Sequence, residues 1–330
     1  ALWVGGGKVA QFYAVRGVLG VLSALSETYL LFAVGRTYGG GVVRWAAVVL
    51  ALSPGMFQAS TAYLPSSFAM YCVAVAYGAW LLRQRSLVIF AAGVGVLLGW
   101  PFILLLLFPI ALHTLLTAPL RSVALALGTV VVVVTPMLLV DYALYRRLFF
   151  APLNIILYNV FSPHDGASLY GEEPASYYFI NMVLNFSTAF PLFLAAPLLA
   201  VTRGGCARAL PVPMVLLHLA PALLWFAGMT FGLRHKEERF LYVMYPLAAV
   251  ASGLSAAVLF EEWPARLVAG AKSSATGRRT LAQLLRAGGV AYLLTFSALS
   301  ASRIYSNHVN YGGSWGPYER LAGVELMGAC

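Results

Sequence analysis

An all-α, polytopic membrane fold of about ten transmembrane helices is predicted by this sequence on three observations. Hydrophobic residues make up 61% of the 330, and the mean hydropathy is +0.83. Charged residues make up only 10%, where a soluble domain carries about 25%. Apolar runs of membrane-crossing length follow one another, separated by short clusters of charge, proline or glycine. The net charge of +10 does not indicate nucleic acid, because Lys and Arg stand singly or in pairs between apolar runs. They read as topology determinants, so the expected partner is the membrane. Cys72, Cys206 and Cys330 are far apart and odd in number, which implies neither a disulfide framework nor a metal site.

Taken in order, the expected spans are residues 12–34, 45–62, 67–82, 86–99, 101–117, 122–144, 177–202, 213–232, 240–260 and 288–304. The fourth and fifth are short and meet at Gly99-Trp100-Pro101, so residues 86–117 are either two short helices or one long kinked helix. Arg36, Arg44, Arg83, Arg85, Arg121, Arg203, Arg208, Arg266, Lys272, Arg278, Arg279 and Arg286 then fall on one set of loops. Lys8, Arg146, Arg147, Arg234, Lys236, Arg239, Arg303 and Arg320 fall on the other. The first set is the more basic and is expected to be cytoplasmic. That alternation stays regular only if the chain turns at Trp100-Pro101, which favours two helices. The run from Gly270 to Arg279 reads as an unstructured cytoplasmic loop. The chain opens on Ala1 rather than Met and stops at Cys330, so it is expected to be a fragment, its residues 1–330 forming one transmembrane domain.

Two polar stretches fall on the non-cytoplasmic side. The first is Arg234-His235-Lys236-Glu237-Glu238-Arg239-Phe240, between two bilayer-length apolar runs. One reading leaves these charges solvated at the headgroups. The other makes a site for an anionic group. Lys236 and Arg239 would hold phosphate oxygens, His235 would donate or titrate, and Glu237 or Glu238 would orient the cations. Alternation of acids with bases, a helical turn between His235 and Arg239, and a second polar loop on the same side favour a site. That second loop, residues 145–176, starts with an amphipathic stretch from Ala151 to Phe161 and continues through turn formers to Tyr170-Gly171-Glu172-Glu173-Pro174. Carboxylates beside Tyr170, Tyr177 and Tyr178 suit a sugar, whose hydroxyls donate to carboxylates and whose C–H face lies on rings. The same residues also suit a polar loop with tyrosines in the aromatic belt.

Other features weigh less. Glu27 and Asp141 are ionisable residues inside spans, Glu27 without an evident partner and Asp141 near enough to Arg146 and Arg147 to pair with them. Asn181 and Asn185, one turn apart, are expected to hydrogen-bond across helices, and the sequon Asn185-Phe186-Ser187 is expected to stay unmodified because it lies inside a span. Nucleotide-loop, zincin, paired-CxxC and nucleophile-elbow motifs are absent from the sequence, and so is an internal repeat.

His235-Lys236-Glu237-Glu238-Arg239-Phe240, followed by Leu241-Tyr242 and Tyr245-Pro246, resembles the signature of the dolichyl-phosphate-mannose-dependent mannosyltransferases of glycosyltransferase family 22. Ala151–Phe161, Leu169–Pro174, Tyr178–Asn181 and Leu184–Phe186 resemble the branch of that family that forms α-1,2 linkages in asparagine-linked glycosylation. Phe57–Tyr71 and Leu98–Phe102 fit as well, and Glu238 matches the α-1,2 branch where siblings vary.

The resemblance covers residues 12–305 and implies a multi-pass endoplasmic-reticulum enzyme of the GT-C class. It implies transfer of mannose from dolichyl-phosphate-mannose to the lipid-linked oligosaccharide on the luminal face. A β-linked donor giving an α-linked product is an inverting displacement, which needs a base on the acceptor hydroxyl and cations on the leaving phosphate. His235, Lys236 and Arg239 suit the phosphate, while Tyr170, Glu172, Glu173 and Tyr178 suit the acceptor. No cofactor or metal is expected, since the protein itself can neutralise a lipid monophosphate. The family's acidic first luminal loop, with its presumed catalytic Asp, is expected upstream of Ala1, so the base is unassigned. Alternatives are a sibling mannosyltransferase, with an α-1,6 linkage or a GPI-anchor acceptor, and a polytopic lipid or solute transporter using Glu27 and Asp141.

Overall fold

The computed structural model describes residues 7–161, 171–202, 210–269 and 276–311, and all regular structure among them is helical. The chain runs α1 (Lys8–Tyr38), α2 (Gly40–Leu52), α3 (Pro54–Ala59), α4 (Pro65–Leu81), α5 (Arg85–Val94), α6 (Ile103–Leu106), α7 (Phe108–Thr117) and α8 (Pro119–Tyr145). It continues through α9 (Ala151–Phe161), α10 (Ser176–Phe186), α11 (Ala189–Val201), α12 (Val212–Gly232), α13 (Arg239–Tyr242), α14 (Tyr245–Ala257), α15 (Trp263–Ala269) and α16 (Thr276–Tyr311). In a bilayer only internally hydrogen-bonded segments can cross, which is why apolar runs of this length become helices. Four of them are long and apolar enough to cross alone: α1, α8, α12 and α16.

The other expected spans are built from shorter pieces. Residues 45–62 become α2 and α3, with Ser53 at the joint and Pro54 starting the second piece. Residues 86–117 do not form one helix. A π-helical turn at Gly95–Gly99 ends the first half, and Trp100, in extended conformation before Pro101, breaks the chain. The expected span 177–202 breaks at Ser187, whose φ of +40° forces α10 and α11 to meet at 105°. A second π-helical turn at Val258–Glu262 extends α14. At the other extreme, α16 is 36 residues long and its first four are Thr276–Arg279, so that part of the expected unstructured loop is helical. Its arginines and leucines are good helix formers, which an apolar-run criterion ignores.

The core sits around α14, where every residue from Tyr245 to Ala257 is buried. It packs chiefly against α2 and α11, while α1 packs along α4. Gly253 permits the α2 approach, because a Cβ there would lie 2.6 Å from the Ala46 backbone nitrogen. By contrast α8 shows most of its side chains outward, as a helix facing lipid would. Arg146, at φ +56°, ends α8, and among the described residues Asp141 makes no ion pair with Arg146 or Arg147, contrary to expectation. Glu27 does have a partner, the Ser23 hydroxyl at 2.6 Å.

Polar contacts gather at the two ends of the bundle. At one end Arg44 pairs with Glu261 at 2.7 Å, Trp45 donates to the same carboxylate at 2.9 Å, and Arg266 donates to the Thr202 carbonyl. Arg44 and Arg266 belong to the set expected on the cytoplasmic side. The opposite end holds Arg234–Arg239 and, of the second polar stretch, residues 171–176.

Candidate functional site

The segment after residue 170 and the loop between α12 and α13 are more than sixty positions apart in sequence, yet their backbones join. The Glu173 amide donates to the Arg234 carbonyl at 2.9 Å, and His235 Nδ1 meets the Gly171 carbonyl at 2.9 Å. Gly171 turns the chain at φ +96°, in the left-handed region that a side chain would strain. Lys236 closes the junction from beneath. It is 6% exposed, and its Nζ donates to the Glu173 carbonyl at 2.8 Å and also to the Leu233 carbonyl. A buried ammonium is stable only when such acceptors surround it, so this lysine clamps one loop on the other.

Above that clamp lies an ion-pair cluster centred on Glu237. Arg239 grips both carboxylate oxygens, Nη2 at 2.8 Å from one and Nε against the other, a two-pronged contact that fixes the guanidinium plane. His235 Nε2 meets the same carboxylate at 3.1 Å. Both ring nitrogens of His235 therefore face acceptors, and both contacts are hydrogen bonds only when the ring is doubly protonated. Partial burial pushes the Glu237 carboxyl pKa up, but hydrogen bonds and charge from Arg239 and His235 outweigh it, leaving the pKa below the usual 4.5. Arg234 is 84% exposed on its side chain and reaches Glu172 at 3.7 Å. The guanidinium of Arg239 also lies over the Phe240 ring, 5.8 Å from its centre.

The remaining expected site residues separate into two groups. Glu172 and Glu173 are exposed beside the cations, and the backbone of Glu173 forms part of the junction. Tyr178, expected at the acceptor, is instead 0% exposed, and its hydroxyl donates to the Glu237 carbonyl at 3.1 Å. The 3.6-residue period turns Tyr178 inward while Glu172 and Glu173, on non-helical chain before α10, stay outside. Glu238 turns inward as well. Its carboxylate accepts from Asn185 at 3.0 Å, and Asn185, 2% exposed, also reaches Asn181 and the Tyr245 hydroxyl. The expected asparagine network thus extends to a carboxylate of the charged loop. Tyr170 lies outside the described residues.

Sequence reasoning missed the aromatic support of the loop. Trp225 Nε1 donates to the Phe240 carbonyl at 2.9 Å, and Trp100 stacks on the Phe240 ring at 5.2 Å between centres. The break at Trp100-Pro101 was visible as a turn, but its neighbour 140 positions away was not. Chemically, the arrangement offers several cations and two exposed acids side by side over buried and half-buried aromatic rings, all at one end of a membrane bundle.

The profile of the Alg9-like mannosyltransferase family matches residues 1–325. The protein named alpha-1,2-mannosyltransferase ALG9 of Arabidopsis thaliana is 38% identical over 251 residues, which are 76% of this chain and 43% of that protein. Its Homo sapiens namesake is 38% identical over 259 residues, or 76% of this chain and 42% of the relative. The chain thus spans less than half the length of these curated relatives. Among solved structures, ArnT from Cupriavidus metallidurans bound to undecaprenyl phosphate is similar with a TM-score of 0.52 at 14% identity. That likeness covers 90% of this chain and 59% of the other, and it concerns the fold, in agreement with the expected GT-C architecture. With the signature loop docked in a polytopic helical bundle and the profile matched over nearly the whole sequence, this chain belongs to the Alg9-like mannosyltransferase family.

Proposed function

We propose that a protein containing this chain transfers mannose from dolichyl-phosphate-mannose, in α-1,2 linkage, to the lipid-linked oligosaccharide on the luminal face of the endoplasmic reticulum. The observation carrying this reading is the junction of Gly171–Glu173 with Arg234–Arg239, which sets exposed carboxylates next to cations. A glycosyl transfer from a lipid phosphate needs both in one place, the acids for acceptor hydroxyls and the cations for the departing phosphate. Arg239 and His235, oriented by Glu237, would meet the phosphate, and Arg234 adds an exposed charge at the rim. Lys236 adds its positive charge from below while its hydrogen bonds hold the two loops together. Glu172 and Glu173 would accept from sugar hydroxyls, and the catalytic base is left unassigned. Family membership favours this enzyme over a transporter, and the names of the relatives favour the α-1,2 linkage over its siblings.

The test is transfer by the purified protein containing this chain, given dolichyl-phosphate-mannose and a lipid-linked oligosaccharide acceptor. Added mannose should be released by an α-1,2-specific mannosidase. Arg239→Ala should lower transfer about tenfold to a hundredfold, the worth of one charge-assisted contact, and Arg239→Lys should recover only part of it. A mannosidase-resistant product would assign the sibling linkage, and solute uptake into vesicles without transfer would assign the transporter.

A further inference from the structure

At the end of the bundle away from the candidate site, three helix ends border a cavity with basic and polar lining. Helix α4 stops at Leu81, Arg83 turns the chain at φ +59°, α5 starts at Arg85, and α7 ends at Thr117. Counting along α5 and its π-turn, Arg85 is about 20 Å from the Trp100 that supports the charged loop. The cavity, about 240 Å³, is lined by Trp80, Arg83, Arg85, His113 and Thr117, among others. It presents donors rather than acceptors. Arg85 Nη2 donates to the Thr117 hydroxyl at 3.2 Å, but its Nε is enclosed and has no hydrogen-bond acceptor. An enclosed donor without a partner calls for an explanation, and an N–H aimed into a basic cavity suits an anionic acceptor. Trp80 Nε1 donates to His113 Nδ1 at 2.9 Å; an indole can only donate, so the neutral imidazole keeps its proton on Nε2 as one more donor. Among the described residues, no carboxylate forms an ion pair with Arg83 or Arg85.

An apolar groove of about 340 Å³ continues from this cavity, sharing Val88 and Thr114 with it. It runs between α5, α7 and α8 past Ile89, Leu104, Ala126 and Val130. Leu104 and Val130 are exposed on its walls, and α8 is one of the helices able to span a bilayer alone, so the groove opens sideways into lipid. A small anion would use the basic cavity and ignore the groove. A neutral lipid would use the groove and ignore the cations. Their continuity fits a ligand with a phosphate at one end and a hydrocarbon chain at the other, and basic pockets between membrane helices do take lipid headgroups.

We infer that this composite is a binding site for one anionic phospholipid, its phosphate held by Arg83, Arg85 and His113 and an acyl chain lying between α5, α7 and α8. The protein containing this chain, purified in detergent, is titrated with dioleoyl-phosphatidylglycerol, dioleoyl-phosphatidylcholine or inorganic phosphate, and bound species are counted by native mass spectrometry. One phosphatidylglycerol should be retained at about tenfold lower concentration than phosphatidylcholine, the difference one charge-assisted contact supplies. Arg83→Asn with Arg85→Gln should erase that preference. Ala126→Phe, which fills the groove and spares the cations, should expel the lipid and leave phosphate binding as it was. Equal retention of the two lipids, phosphate bound where phosphatidylglycerol is not, or a lipid that survives Ala126→Phe would each overturn the assignment. Should the double variant fail to fold, the lipid comparison on the unaltered protein and Ala126→Phe decide the matter without it.

Discussion

Lys236→Met separates two roles that one lysine can play at this site. The substitution keeps an apolar stem of similar length and removes only the ammonium, leaving the Glu173 and Leu233 carbonyls without their donor. A hydrogen bond from a charged donor contributes about 1.5–3 kcal/mol, so two bonds sharing one ammonium put the loss at about 3–5 kcal/mol. At roughly 1.4 kcal/mol per tenfold, the population with residues 171–174 detached should rise at least a hundredfold. Hydrogen exchange at the Glu173 amide reads this directly, because that amide donates to Arg234 only while the loops are joined. Protection should fall in the variant, and mannose transfer should fall with it. If transfer collapses while the Glu173 amide stays protected, the clamp is refuted and Lys236 acts on the phosphate itself. If neither changes, the lysine matters to neither.

Three further outcomes follow from the same geometry. Gly171→Val places a β-branched residue at φ +96°; it should cost about 1–2 kcal/mol and detach the His235 contact, seen as faster proteolysis after residue 170, and unchanged cleavage would contradict it. Glu172→Gln and Glu173→Gln keep shape and remove charge from exposed side chains, so they should raise the acceptor KM and leave the donor KM almost unchanged; a change confined to the donor would mean the two loops are assigned the wrong way round. Because the folded-state pKa of Glu237 is depressed, its stabilisation is present above the usual 4.5 and is lost as pH falls through the lower folded value. The loop cluster should therefore hold at pH 5 and loosen only below 4.5, and loosening already between pH 6 and 5, measured by exchange corrected for its intrinsic rate, would place the sensitivity on another group.

Much of this protein is legible in its sequence, and the legible part is what a bilayer imposes. Apolar runs must become helices because no water is present to satisfy the backbone, so span order and the two ends of the bundle follow from composition and from the placement of Lys and Arg. The charged loop was recognisable too, since six polar residues from Arg234 to Arg239 are conspicuous where charge is scarce. Which side chains of that loop face outward was not legible. Lys236 and Arg239 are alike in one dimension, yet one is clamped beneath the loop and the other lies on its surface. Glu237 and Glu238 are adjacent and identical, yet one holds Arg239 and the other turns to Asn185. Tyr178, which reads as an aromatic beside acids, becomes core because α10 rotates it inward. The break at Ser187 and the stacking of Trp100 on Phe240 likewise depend on partners remote along the chain. Burial in a membrane is decided residue by residue from local polarity, whereas the pairing of loops is decided by how helices of unequal length pack around α14, and only the tertiary structure contains that packing.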